Sequence, residues 1–150
     1  MTLAVQLVGI LLVALVVGIY WGPWIALTRS IARLDVEIFL PVVSMLNANL
    51  AGLMTVLVPV ALLGQVGLLI VDFGRALSFT LAAIAFVLFL VTVVVTVLTE
   101  VPIVKQIVTW QTETVPGNWR ELRDRWASFH LLRVLPGLAA LALYVAAAIL

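Results

Sequence analysis

Four apolar runs, each of about 20 residues and nearly free of charge, constrain this chain more than any other feature, because that length of helix spans the ~30 Å hydrocarbon layer of a membrane. They cover residues 3–21, 50–71, 76–99 and 131–150. A bilayer offers the backbone no hydrogen-bonding partner, so each run must close its own bonds as a helix. The expected fold is therefore an all-α membrane protein, an up-and-down bundle of four transmembrane helices in one domain over residues 1–150. Composition agrees: 65% of residues are hydrophobic and 10% charged, outside the range of soluble domains. A cleaved signal peptide is the rival reading of the first run. It is the weaker one, since Met1-Thr2 offers no positive n-region and the run exceeds an h-region in length.

Breakers and charges set the boundaries. Tyr20, Trp21 and Trp24 read as an aromatic interface belt, with Gly22-Pro23 ending the first helix. Asp35 is placed to cap a second helix that starts outside the membrane, because Phe39, Val42, Val43, Leu46 and Leu50 follow at helical spacing. Pro59 is expected to kink that helix, and Asp72, Gly74 and Arg75 to form a tight turn. Pro102 ends or bends the third helix, and Pro116-Gly117 marks a turn before the fourth. Of eight Lys and Arg residues, Arg29, Arg33, Lys105, Arg120, Arg123, Arg125 and Arg133 belong to the first and third connections or their margins. Only Arg75 lies on the other side. The positive-inside rule puts both connections in the cytoplasm and both termini outside, in a multi-pass protein of the plasma (inner) membrane.

Chemistry-bearing residues concentrate at that same end. Trp119, Arg123, Trp126, His130 and Arg133 are spaced four, three, four and three apart, so a continuous helix stacks them as one stripe. Arginine and histidine are costly toward hydrocarbon, so the stripe should face partner helices or a wet cavity. Thr92, Thr96 and Glu100 recur every four residues and form a polar seam on the third helix. Asn47 and Asn49 fall at the same membrane level. His130 and Glu100 are the candidate acid–base groups, with Arg123, Trp126, Arg133, Asn47 and Asn49 as candidate ligand-binding residues. Each has a plainer reading: Arg120 and Arg125 as juxtamembrane anchors, Glu100 as half of an ion pair that fixes helix register, and the asparagines as interhelical hydrogen bonds.

Several classes fall away. Without cysteine, disulfides, thiolate nucleophiles and thiolate-bound metals are excluded within the chain. A single histidine excludes a multi-histidine metal centre. A haem or metal on His130 alone stays open, and the sequence requires no cofactor. A net charge of +1 gives no reason to expect nucleic acid, which leaves the lipid bilayer and a lipophilic small molecule as partners. The small-residue face of the last helix (Gly137, Ala139, Ala140 and Ala146 to Ala148) suits packing within the chain or against a second copy.

The runs Glu100-Val-Pro102 and Arg123-Asp-Arg125-Trp126, with His130 and Arg133, resemble the anthrone oxygenase-like family of small four-helix membrane proteins, many of unknown function. The resemblance implies an oxidoreductase that turns an anthrone into an anthraquinone with oxygen and without an obvious organic cofactor. It also implies roles for Glu100, Arg123, Trp126, His130 and Arg133. Family members commonly carry Asn at the places held here by Glu100 and His130, so the side chains meeting a ligand differ. The expectation is thus an oxygenase acting on an aromatic or quinone-like substrate at the cytoplasmic end of the bundle. The alternative is a non-enzymatic binder of lipophilic molecules or a small assembly subunit, with structural ion pairs at that rim.

Overall fold

The computed structural model describes residues 2–150, and every regular element among them is helical. In order these are α1 (Thr2–Ala26), a 3₁₀ turn (Thr28–Arg33), α2 (Val36–Asp72), α3 (Ala76–Val95), a π-helical turn (Thr96–Glu100), α4 (Val101–Ile107), a short 3₁₀ turn (Thr112–Thr114) and α5 (Trp119–Ile149). α3, the π turn and α4 continue as one rod, so four rods are each long and apolar enough to cross a membrane. The chain is an integral, multi-pass membrane protein. α1 packs on α2 and α5, and α3 packs on α5 and, more thinly, on α2. The four rods therefore close a ring with one weak side.

The outer faces carry Leu7, Leu11 and Leu15 on α1, Leu53, Val56 and Leu63 on α2, Val87 and Val94 on α3, and Leu132 and Leu135 on α5, all exposed. In water such a surface would aggregate; against acyl chains it is at home. For the same reason burial alone does not pull these helices together, because lipid is as apolar as the core. Close approach and interhelical polar contacts must do so. A Cβ on Gly9 of α1 would lie 2.8 Å from Leu68 Cγ of α2, and one on Gly64 would lie 3.4 Å from the Gly9 Cα. Here the two backbones nearly touch. Tyr144 donates to Gln65 Oε1 at 2.7 Å in mid-bundle, and Gln6 donates to Asp72 at 3.3 Å near the α2–α3 turn. Arg75 pairs with the same Asp72.

Gly9→Val is expected to destabilise the bundle by about 1–3 kcal/mol, since the added methyls meet Leu68 and push α1 off α2. Thermal or dodecyl-sulfate unfolding measures this. Gly18→Val, at a site where a Cβ meets nothing within 4 Å, is the control and should leave the midpoint in place.

Two features differ from the sequence reading. Gly22-Pro23 does not end α1, which continues to Ala26 with the Pro23 carbonyl accepting from Leu27 N–H at 2.9 Å. A proline removes one bond in a helix, and the packing of Tyr20, 3% exposed, holds this stretch helical regardless. Asp35 occupies the N-cap position of α2, but its side chain makes no capping bond. As the sequence indicates, the apolar runs 50–71 and 131–150 lie within longer helices that begin at Val36 and Trp119. These overhangs bury a second apolar cluster, around Ile31, Phe39, Val43, Ile107, Trp119 and Trp126, which caps the bundle beneath the site.

Candidate functional site

The weak side of the ring opens a large cavity. α2 and α3 are held by the tight turn 73–75, with Gly74 at φ +91°, and farther along they part to leave a space of about 690 Å³. That size lies within the roughly 300–1,000 Å³ of small-molecule sites. α2 lines one wall from Val43 to Leu62, and α3, the π turn and α4 line the other from Val93 to Lys105. Ile19, Tyr20 and Pro23 of α1 and Trp126, His130 and Arg133 of α5 form the floor.

The π turn delivers Glu100. Val101 N–H reaches back five residues to the Thr96 carbonyl, and this wider turn resets the helical register between the two. Such turns recur at functional sites. Thr96, Val97, Glu100, Val101 and Val104 all line the cavity. Thr96 also bonds its own helix at Thr92 O, 2.8 Å, and Thr92 bonds both Leu88 O and Arg133 O at 3.2 Å, so α3 is stitched to α5 on the side of the site that faces the α2–α3 turn.

On the floor, Glu100, His130 and Arg133 converge. Arg133 Nη2 lies 3.3 Å from Glu100 Oε2 and 2.8 Å from His130 Nδ1, and His130 Nδ1 lies 3.7 Å from the same carboxylate oxygen. The Arg133 guanidinium also stacks on the Tyr20 ring at 4.3 Å, and Tyr20 Oη lies 3.4 Å from Thr96 Oγ1. The imidazole tautomer follows from its partners. His130 Nε2 sits 3.0 Å from the Tyr20 carbonyl, which only accepts, so Nε2 carries the hydrogen. Arg133 only donates, so Nδ1 offers its lone pair. Sequence reasoning left a haem or metal on His130 open, and the structure engages both ring nitrogens. A lone haem or metal bond at His130 would have to displace one of these contacts. Among the described residues, no three His, Cys, Asp or Glu side chains group as a metal centre.

Glu100 is the opposite case. It is 2% exposed, and neither carboxylate oxygen has a hydrogen-bond partner among the described residues. Trp126 Nε1 and Arg133 Nε are likewise buried and unpartnered. Buried polar atoms are nearly always satisfied, so this floor combines unmet acceptors with unmet donors. It suits a ligand that brings a hydroxyl together with a carbonyl or phenolate oxygen.

The cavity thus collects His130, Glu100, Trp126, Arg133 and Asn47. Arg123 and Asn49 are elsewhere. Asn49 is on the exposed side of α2, two residues from Asn47 and so on another face of the helix. Arg123 is buried two turns below His130, where it donates to Asp124 at 2.8 Å and to the Ala32 carbonyl at 3.3 Å and stacks over Trp119 at 5.2 Å. It ties α5 to the 3₁₀ turn after α1. Arg123→Met is therefore expected to lower stability by about 1–3 kcal/mol through the lost charge-assisted bond to the Ala32 carbonyl. Turnover measured below the melting point should be unchanged. Tyr20 is the residue that sequence reasoning missed: read as an interface aromatic, it supplies both a carbonyl and a ring to the floor. The signal was its place one turn before Pro23, facing the bundle while Trp21 and Trp24 stack on each other at 5.1 Å.

Fold and site together define a multi-pass membrane protein with a cavity between α2 and α3 floored by a buried Glu–Arg–His cluster. A family model described as anthrone oxygenase matches residues 42–143, a stretch that contains α2 from its second turn, α3, α4, the stripe and most of α5. The chain belongs to the anthrone oxygenase family. No curated protein and no solved structure matches it.

Proposed function

We propose that this chain is a membrane-embedded oxygenase for a lipophilic aromatic substrate, an anthrone or a close relative. The observation that carries the reading is the buried Glu100 carboxylate, which accepts no hydrogen bond among the described residues, lines a cavity of small-molecule size and lies 3.3 Å from Arg133 as its counter-ion. Family membership supplies the reaction class.

In this reading the substrate binds as its enol tautomer, an anthrol, with its hydroxyl on Glu100. Glu100 takes that proton, and Arg133 stabilises the anion left on the same oxygen inside a water-poor site. The charge delocalises to the carbon across the ring, which reacts with O2. Overall the methylene carbon becomes a carbonyl and O2 is reduced, with one oxygen atom kept in the new ketone and the other leaving as water. His130 holds Arg133 through Nδ1 and is itself held by the Tyr20 carbonyl, which makes it a positioning residue. Trp126 and Asn47 border the bound ring.

The first and third connections and the helix ends beside them, with seven of the eight Lys and Arg residues, would lie in the cytoplasm by the positive-inside rule, as part of a plasma membrane protein with both termini outside. The site then opens near the cytoplasmic headgroups.

The test is oxygen uptake by the purified protein in nanodiscs given anthrone. The expected result is one O2 consumed per anthrone, well above empty nanodiscs, with one atom of labelled oxygen in the quinone. Uptake equal to that of empty nanodiscs would remove the enzymatic reading and leave a binder of such molecules.

A further inference from the structure

The cavity is longer than a polar head requires, and its two ends differ in chemistry. Along α2 it runs from Val43 to Leu62, about 28 Å of axis at 1.5 Å per residue. Glu100, Lys105 and Asn47 lie on one side of the level of Thr55 and Thr96; Arg133 springs from the level of Thr92, whose hydroxyl donates to its carbonyl at 3.2 Å, and its guanidinium reaches back to Glu100 at 3.3 Å. Toward the α2–α3 turn the lining of those two helices is Val58, Pro59, Leu62 and Val93, without a polar side chain.

These ends also sit at different depths. Counted from Asp72 and Ala76 at the turn, about 20 residues of helix cross the hydrocarbon layer, which ends near Gly52 on α2 and Val95 on α3. Glu100 and Asn47 fall beyond it, at headgroup depth. Val58, Leu62 and Val93 fall within it. The open wall is the α2–α3 side, where Val97 and Val101 line the cavity yet are 56% and 38% exposed. A polar floor at headgroup depth joined to an apolar slot at acyl-chain depth has the orientation of an amphiphile already resident in that leaflet.

We propose that the ligand of this site is a tailed phenol or hydroquinone. Its ring hydroxyl donates to Glu100, its hydrocarbon chain lies along α2 from Met54 to Leu62, and it enters sideways between α2 and α3 without leaving the membrane. A tail-free tricycle would occupy the floor and leave the slot empty of its own atoms. The inference rests on the proposed oxygenase site for its head alone; the tail follows from the lining and depth of the slot.

A tail gains little free energy in passing from lipid to an apolar slot, because the two media are equally apolar. The experiment therefore reads position. The full chain in phosphatidylcholine nanodiscs is irradiated with 4-dodecylphenol bearing a diazirine at the chain end, and labelled residues are mapped by mass spectrometry. Labelling is expected at Met54 to Leu62 and at Val93. By mass action, 4-methylphenol at about ten times its own Kd should lower that labelling about tenfold. Val58→Trp should remove it while leaving the thermal shift produced by 4-methylphenol in place. Leu62→Phe, a smaller change at the far end, should move the label toward Met54.

Label confined to the outer residues Leu53, Val56 and Leu63, as an ordinary bilayer chain would give, overturns the proposal. So does slot labelling that 4-methylphenol fails to displace, since the tail would then not belong to the head-bound molecule. Slot labelling as expected, combined with no oxygen uptake on any phenol or anthrone, overturns the oxygenase reading and leaves this one standing.

Discussion

Glu100→Gln is expected to lower anthrone-dependent oxygen consumption by about 10²–10⁴-fold, the range contributed by a positioned general base, while the protein stays folded and continues to bind ligand. The amide is isosteric and keeps a carbonyl oxygen that can accept a ligand hydroxyl, so binding is largely retained and the loss falls on kcat. Arg133 keeps two of its three partners, His130 Nδ1 and the Tyr20 ring, which limits structural collateral. Uptake and ligand-induced thermal shift, measured on the same nanodisc preparation, separate the two effects. Unchanged turnover in Glu100→Gln, with complete loss in His130→Ala, would reverse the roles assigned to these two residues.

The roles were only partly legible in the sequence. The four rods were, because hydropathy over twenty residues is a strong signal and a bilayer permits few other solutions. The inward direction of the stripe was also legible: Trp119, Trp126 and His130 are 7%, 4% and 1% exposed, as the cost of arginine and histidine in lipid required. What periodicity could not give was level along the helix. Arg123 and His130 share a face but stand about 10 Å apart along it, far enough for one to clamp the second apolar cluster while the other meets the cavity. Backbone partners were invisible as well. Nothing in a side-chain pattern announces that the Tyr20 carbonyl will hold His130, or that a π turn will intervene between Thr96 and Val101. The motif containing Glu100 was found by its residues; its geometry needed the fold.

Arg133→Ala is expected to be the most damaging single substitution to stability, at about 3–5 kcal/mol, the usual cost of stripping a buried charge of its counter-ion. Glu100 is 2% exposed and accepts no hydrogen bond among the described residues, and His130 Nδ1, 3.7 Å away, presents a lone pair in the tautomer its partners require, so Arg133 is what compensates the charge. The same logic predicts a rescue. Glu100→Gln combined with Arg133→Met removes both charges, and its unfolding midpoint should return most of the way to that of the unaltered protein, because the coupling between contacting residues is lost together with both partners. The rescued protein should remain inactive, since neither proton acceptor nor anion stabiliser is left. Dodecyl-sulfate unfolding of Glu100→Gln, Arg133→Met and the double variant that combines them gives the coupling energy directly. A loss below about 1 kcal/mol in Arg133→Ala would mean that the pair behaves as a solvated one. The floor of the cavity would then be wet, and the strengthening of Arg133 by desolvation, on which its anion-stabilising role depends, would be gone.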